Sequence, residues 1–217
     1  METLYVEEGR RHRPGIRELV EVVGEERVRL VDDVRTLAET TAPQGVVADC
    51  RPLTPVALDS LAGPGAAVMV LDHLEDPHNV GAVARSARAA GMTGMVVSTR
   101  RAAPLSAAAF KAAAGALEDL PVAMVGSIPE ALRRLKKAGL WVVGLDAAAT
   151  ESLFGLELLT EPVAVVVGAE GSGLSRLVSE CCDVLVSVPM ADRSESLNAS
   201  VTAALAAFEI MRVRRPG

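Results

Sequence analysis

The sequence predicts an α/β fold: a parallel sheet covered by helices on both faces, preceded by a smaller α/β unit. Three observations predict it. Short valine-rich runs, A-V-M-V-L at 67–71, V-A-V-V-V at 163–167 and V-L-V-S-V at 184–188, are apolar almost throughout, the pattern of strands buried on both sides. Segments of helical periodicity alternate with these runs, as parallel crossovers require. The runs also deliver polar, glycine- or serine-bearing loops, and open α/β sheets build their sites beyond the carboxyl ends of such strands.

Taken in order, residues 1–64 read as the small unit. Strands are expected at 4–6, 28–31 and 45–48, and helices at 16–23, 34–40 and 55–61. The segment Ala62-Gly63-Pro64-Gly65 is the expected linker, because its glycines and proline do not continue a helix.

From 65 to 217 the alternation becomes regular. Strands are expected at 67–71, 95–98, 122–125, 141–145, 163–167 and 184–188, with helices at 80–90, 107–114, 129–138 and 197–213. The fifth of these strands carries the longest valine run. Ser127 and Glu130 have the spacing of a capping box, with Pro129 in the first turn of its helix.

Composition narrows the class. The chain has 217 residues, half of them hydrophobic, and no apolar run reaches the roughly 18 residues that a membrane helix needs. The first residues, M-E-T-L-Y-V-E-E-G-R-R-H-R, lack the apolar stretch of a signal peptide, so the expected compartment is the cytoplasm. Cys50, Cys181 and Cys182 form no disulfide framework and no zinc spacing, and read as buried thiols. His12, His73 and His78 form no metal constellation. A net charge of −6 argues against nonspecific coating of nucleic acid, although the arginines cluster at 10, 11 and 13, at 85 and 88, at 100 and 101, and at 212, 214 and 215.

Three loops carry candidate chemistry. In L-D-H-L-E-D-P-H-N-V-G-A-V-A-R, Asn79 is placed to cap the next helix, Gly81 permits close backbone approach, and Arg85 offers a planar cationic fork suited to phosphate. The loop at 168–174, G-A-E-G-S-G-L, has neither the lysine of a phosphate-binding loop nor dinucleotide spacing. Glu170 inside it points towards a cationic or hydroxyl-bearing ligand. Beyond Val188-Pro189-Met190 lies Ser194-Glu195-Ser196-Leu197-Asn198. There either serine is a candidate helix cap, and Asn198, read as lying in the first turn, is a candidate for a hydrogen-bonding task.

N-x-G-x-x-x-R, G-x-E-x-x-G-L, and P-M with S-L-N-x-S, in this order, resemble the three motifs of the SpoU/TrmH family of RNA ribose 2'-O-methyltransferases in the SPOUT superfamily. The resemblance covers 65–217. Residues 42–48, A-P-Q-G-V-V-A, are similar to part of the ribosomal-protein-like RNA-binding domain of the rRNA-modifying branch, and the resemblance implies that the unit begins partway into that domain.

The resemblance implies a C-terminal trefoil knot, a homodimer, S-adenosylmethionine as cofactor and RNA as partner, with rRNA favoured over tRNA. Its catalytic positions map to Asn79, Arg85, Glu170, Ser196 and Asn198. Its cofactor contacts map to Gly168, Val188 and Leu197, with Met190, Ser98 and Thr99 nearby. Arg10, Arg11, Arg13, Arg88, Arg101 and Lys111 are the candidate RNA contacts, and no metal is expected. Two departures fall in the substrate-recognition parts: Pro43 replaces the family's histidine, and Lys111-Ala112-Ala113-Ala114-Gly115-Ala116 lacks its serine. A non-catalytic RNA-binding assembly factor and a nucleotide-binding oxidoreductase are the competing readings.

Overall fold

The computed structural model describes residues 1–39, 42–100, 105–191 and 197–215. The chain divides into two compact units, Met1–Thr54 and Pro55–Gly217. The division falls ahead of the Gly63-Pro64-Gly65 segment expected as linker. Val56 N–H donates to Val122 O at 2.9 Å, and Leu58 and Leu61 are buried in the core of the larger unit, so residues 55–61 belong there.

The small unit is built from β1 (Thr3–Glu7), α1 (Pro14–Val23), β2 (Val28–Val31) and β3 (Val46–Asp49), in sheet order β2-β1-β3. β1 pairs parallel with β2 and antiparallel with β3. Leu4 and Val6 alternate to one face, where Ile16 and Val20 of α1 and Val28 cover them. The helix expected at 34–40 is only a 3-10 turn, Val34–Thr36. The Asp33 carboxylate accepts the Arg35 N–H at 2.8 Å, Val34 is buried and Leu37 is exposed, so no apolar stripe holds a longer helix down. Thr40 lies outside the described residues.

The larger unit comprises β4 (Ala67–Leu71), α2 (Pro77–Ala89), β5 (Gly94–Ser98), α3 (Ala107–Ala113), α4 (Ala116–Asp119), β6 (Val122–Val125) and α5 (Ile128–Lys137). There follow β7 (Trp141–Leu145), β8 (Glu151–Ser152), β9 (Val163–Val167), α6 (Arg176–Ser179), β10 (Val184–Ser187) and α7 (Ala199–Arg214). The seven strands form a parallel sheet in the order β6-β5-β4-β9-β7-β10-β8. Every residue of β4, β5 and β9 is buried, as the unbroken apolar runs of β4 and β9 predict.

One face of the sheet, including Val68, Val70, Val142, Ala164 and Val166, packs on Ile128, Ala131, Leu132 and Leu135 of α5. Removing a leucine such as Leu132 from water contributes about 2 kcal/mol. On the other side α7 lies against α2, β4 and β9. α2 approaches α3 closely because Gly81 has no side chain: a Cβ there would sit 2.3 Å from Ala109 O. Of the expected capping box only the Ser127 half forms, with Glu130 N–H donating to Ser127 Oγ at 3.4 Å, while the Glu130 carboxylate accepts from Arg133 at 3.2 Å. The helix expected at 55–61 is a 3-10 turn, Leu58–Leu61. β8, α4 and α6 were not expected; two and four residues are too short for a periodicity to show.

The end of α7 is tied down. Arg214 donates to Leu159 O (2.9 Å), Gly65 O (2.7 Å), Ala66 O (3.1 Å) and Glu161 O. Buried Glu209 accepts two bonds from Arg212, each 2.7 Å, and the Gly155 N–H at 2.8 Å. No described helix is long and apolar enough to cross a membrane.

Candidate active site

Chain order reverses beside β4: the chain runs outward to β5 and β6, returns to β7 on the other side, and only later inserts β9 between β4 and β7. The crevice at such a reversal is where α/β sheets bind ligands. Here it brings together the loop after β4, the glycine loop after β9 and the start of α7.

The glycine loop is a tight hairpin. Ala169 and Gly173 exchange backbone hydrogen bonds of 3.1 and 2.9 Å, which leaves Glu170 near the tip. Gly168 makes that closure possible, because a Cβ on it would lie 2.2 Å from Gly173 backbone atoms. Any side chain would push the loop off the strand end.

Asn79 does not cap α2. Asp76 takes that place, accepting the His78 N–H at 2.9 Å, with Pro77 first in the helix. Asn79 therefore stands inside the first turn, 8% exposed, and donates from Nδ2 to Glu170 Oε1 at 2.9 Å. The converse holds for Asn198, which was expected inside α7 and is instead its N-cap. Its Oδ1 accepts from Ser200 N (2.8 Å), Val201 N (3.4 Å) and Ser200 Oγ (2.6 Å). This also takes the cap from Ser194 and Ser196, whose own positions lie outside the described residues. Asn198 Nδ2 donates to Asn79 Oδ1 at 3.2 Å and to Glu170 Oε1.

Asn79, Glu170 and Asn198 thus form one hydrogen-bonded cluster from three separate elements. Arg85 lies six residues beyond Asn79 on α2, about 9 Å along the helix axis. It is exposed and makes no hydrogen bond or ion pair with a described residue.

Of the expected cofactor contacts, Gly168 ends β9, Val188 and Met190 follow β10 and are half-buried, and Leu197 is 40% exposed just before the Asn198 cap. Ser98 and Thr99 make no hydrogen bond to this group. They end β5, on the side of β4 away from β9. Ser98 Oγ donates to Arg100 O at 2.8 Å and Thr99 N–H to Val125 O at 2.9 Å.

The expected RNA contacts differ in availability. Arg10 pairs with Glu7 at 2.8 Å, Arg11 with Glu25 at 2.7 Å, and Arg88 with Asp119. Such exposed pairs are worth about 0–1 kcal/mol, so they are weakly held. Arg13 precedes α1, Lys111 is exposed on α3, and Arg101 lies outside the described residues. Among the thiols, Cys181 is buried, Cys50 is exposed, and burial followed by the neighbouring Cys181 pushes Cys182 up to about 12.

One buried residue went unnoticed in the sequence. Asp72, fully buried, accepts from Ser175 N at 2.7 Å and from His73 Nδ1 at 2.6 Å. The available signal was a carboxylate placed directly after five apolar strand residues.

The described loop residues 145–150, 168–174 and 188–191 contain no lysine or arginine, Arg193 lying outside the described residues, and they offer backbone, apolar side chains, the hydroxyls of Thr150 and Ser172 and the carboxylates of Asp146 and Glu170. That set is unsuited to a polyphosphate and suits a cationic ligand held through backbone and apolar contacts. The fold and this crevice define an α/β protein with a candidate ligand crevice at a switch in strand order.

The chain belongs to the SpoU rRNA methylase family, whose family model matches residues 66–208. It is 46% identical over 148 residues to a putative TrmH family tRNA/rRNA methyltransferase, YacO, of Bacillus subtilis, covering 68% of this chain and 59% of that protein. It is 41% identical over 211 residues to the 23S rRNA (guanosine-2'-O-)-methyltransferase RlmB of Nitrosomonas europaea, covering 93% of this chain and 80% of that one. Among solved structures, the SpoU methyltransferase AviRb from Streptomyces viridochromogenes in complex with AdoMet superposes with a TM-score of 0.79 at 28% identity, covering 98% of this chain and 83% of that one.

Proposed function

We propose that this protein is an S-adenosylmethionine-dependent methyltransferase that modifies a ribose 2'-hydroxyl of RNA, with 23S rRNA as the substrate, and that it acts in the cytoplasm as a homodimer. The observation that carries the reading is the Asn79–Glu170–Asn198 cluster, closed at the switch in strand order, with an exposed Arg85 further along the helix that carries Asn79. The name of the Nitrosomonas europaea relative supports the choice of rRNA.

Bound S-adenosylmethionine supplies an electrophilic methyl group on a sulfonium centre. Gly168, Val188, Met190 and Leu197 would hold it, and the carboxylates of Asp146 and Glu170 in the neighbouring loops suit its positive charge. The chain's own residues supply alignment, which can lower a barrier by roughly 7–11 kcal/mol. Arg85 grips a backbone phosphate with two parallel N–H donors and sets the angle of the attacking hydroxyl. An arginine side chain keeps its proton near neutrality, so Arg85 orients rather than accepts the hydroxyl proton. Glu170 and the two asparagines, with Ser196, fix the far side of the ribose.

The small unit, with Arg10, Arg11 and Arg13, serves as a second RNA-binding element. Arg88, Arg101 and Lys111 contribute from the larger unit. α7 returns from the outer strand β10 to pack on central β4 and β9, which supports a knotted C-terminus. A crystal structure of the cofactor complex tests that threading. The helix carries apolar side chains on more than one face: Ala203, Ala206, Ala207 and Ile210 are buried. Val201, Leu205 and Phe208 line a groove with Ala82 and Ser86 of α2, the proposed seat of the second copy.

Calorimetric titration with S-adenosylmethionine is the first test. Saturable binding is expected. No binding at millimolar cofactor would favour an RNA-binding factor without turnover.

A further inference from the structure

Four described polar side chains are buried: Asp72, Asn79, Ser98 and Glu209. Asn79 belongs to the site, Ser98 closes its own turn, and Glu209 braces α7. Asp72 has no part in the reaction as described, yet a fully buried carboxylate is costly unless it is well paired. Its place in the chain says what it is paired for. It follows β4, on the segment that leads into α2 and Asn79. Its Oδ2 accepts from Ser175 N–H at 2.7 Å, at the exit of the hairpin that carries Glu170. Its own N–H donates to Val167 O at 2.9 Å, at the hairpin's entrance. Asp72 therefore holds both ends of the glycine loop to the strand that launches Asn79. His73, in a left-handed backbone conformation with φ 56°, turns its ring back so that Nδ1 meets Asp72 Oδ1 at 2.6 Å, which fixes the carboxylate's rotation.

We infer that Asp72 is a positioning residue of the proposed methyl transfer, setting the separation of Asn79 and Glu170 through the Ser175 N–H without touching substrate or cofactor. The inference rests on the function proposed above. It exploits a steep dependence, since displacement of an aligned group by about 1 Å can cost on the order of 10²-fold in rate.

The test uses Asp72→Asn, which keeps the shape and removes the charge, and Ser175→Pro, which removes the N–H and keeps Asp72. The chain contains only three side-chain amides, Asn79, Asn198 and Gln44, so their proton–nitrogen NMR signals are simple to assign. In folded Asp72→Asn the Asn79 and Asn198 signals are expected to move while Gln44 stays. kcat for methyl transfer to rRNA should fall by about 10²-fold, with KM for both substrates changed far less. Ser175→Pro should reproduce the pattern, and it carries the test if Asp72→Asn does not fold. Unmoved Asn79 and Asn198 signals in a folded variant overturn the inference whatever the activity. If neither variant folds, Asp72 serves the fold and the inference also falls. Signals that move in a protein whose wild type methylates no RNA would sink the proposed function and leave the positioning role standing.

Discussion

Asn198 donates its side-chain amide to Asn79 Oδ1 at 3.2 Å, and these are the only two asparagines in the chain. They stand 119 positions apart and are joined a second time through Glu170. The Asn198 amide has two functions: its oxygen caps α7, and its nitrogen reaches the cluster.

The two functions are separable by substitution. Asn198→Ser keeps a capping oxygen and loses the donor, so stability should stay within a few tenths of a kcal/mol while methyl transfer collapses. Asn198→Ala loses both, adding a stability loss of about 1 kcal/mol. Urea unfolding beside a methyl-transfer assay separates them; equal activity of Asn198→Ser and wild type would contradict the assigned role.

Arg85 is assigned a two-pronged grip on phosphate. Arg85→Lys keeps the charge and loses the fork. Turnover should drop at saturating RNA. Near wild-type turnover with only weaker RNA binding would refute an orienting task.

The groove between α2 and α7 is assigned to a second copy. Phe208, 43% exposed, sits in it, and Phe208→Glu should shift the protein from dimer to monomer in analytical ultracentrifugation. A wild-type monomer at micromolar concentration would remove the proposal.

Glu209 makes stability depend on acid. The bidentate bonds from Arg212 hold its carboxyl below the usual glutamate range, against the opposing effect of burial and with help from the Gly155 N–H. A depressed folded value means a contribution fully present above the ordinary value of about 4.3 and lost as pH falls through the folded one. Glu209→Gln should therefore flatten the acid side of the stability profile, measured by urea unfolding from pH 6 down to pH 3. An unchanged slope would show that Glu209 is not the titrating group.

Much of this was legible in the sequence because the strands are continuous apolar runs with few alternatives. β4, β6, β7 and β9 begin and end at the expected residues, and the three loops fall at strand ends. Caps were harder. Asp76 and Asn79 are both good caps, and their choice turns on Pro77, whose fixed φ suits the first helical position and so selects the residue before it. Ser194, Ser196 and Asn198 presented the same ambiguity, and Asn198 has the cap. Asp72 was hidden because its partners are the Ser175 backbone, which sequence composition does not report, and a neighbouring histidine considered only for a metal constellation and set aside. Ser98 and Thr99 end a strand with a plausible polar pair, but sheet order puts them beyond β4, and sheet order is set by long-range pairing rather than by local pattern.

The central claim is transfer of a methyl group to a ribose hydroxyl. It is tested most directly by incubating the protein with unmodified 23S rRNA and methyl-labelled S-adenosylmethionine, then hydrolysing the RNA in alkali. A 2'-O-methyl group blocks cleavage at its own nucleotide, so the account predicts label in an alkali-resistant dinucleotide at a discrete position. Label released in a mononucleotide, carried on a base, or absent altogether would contradict it.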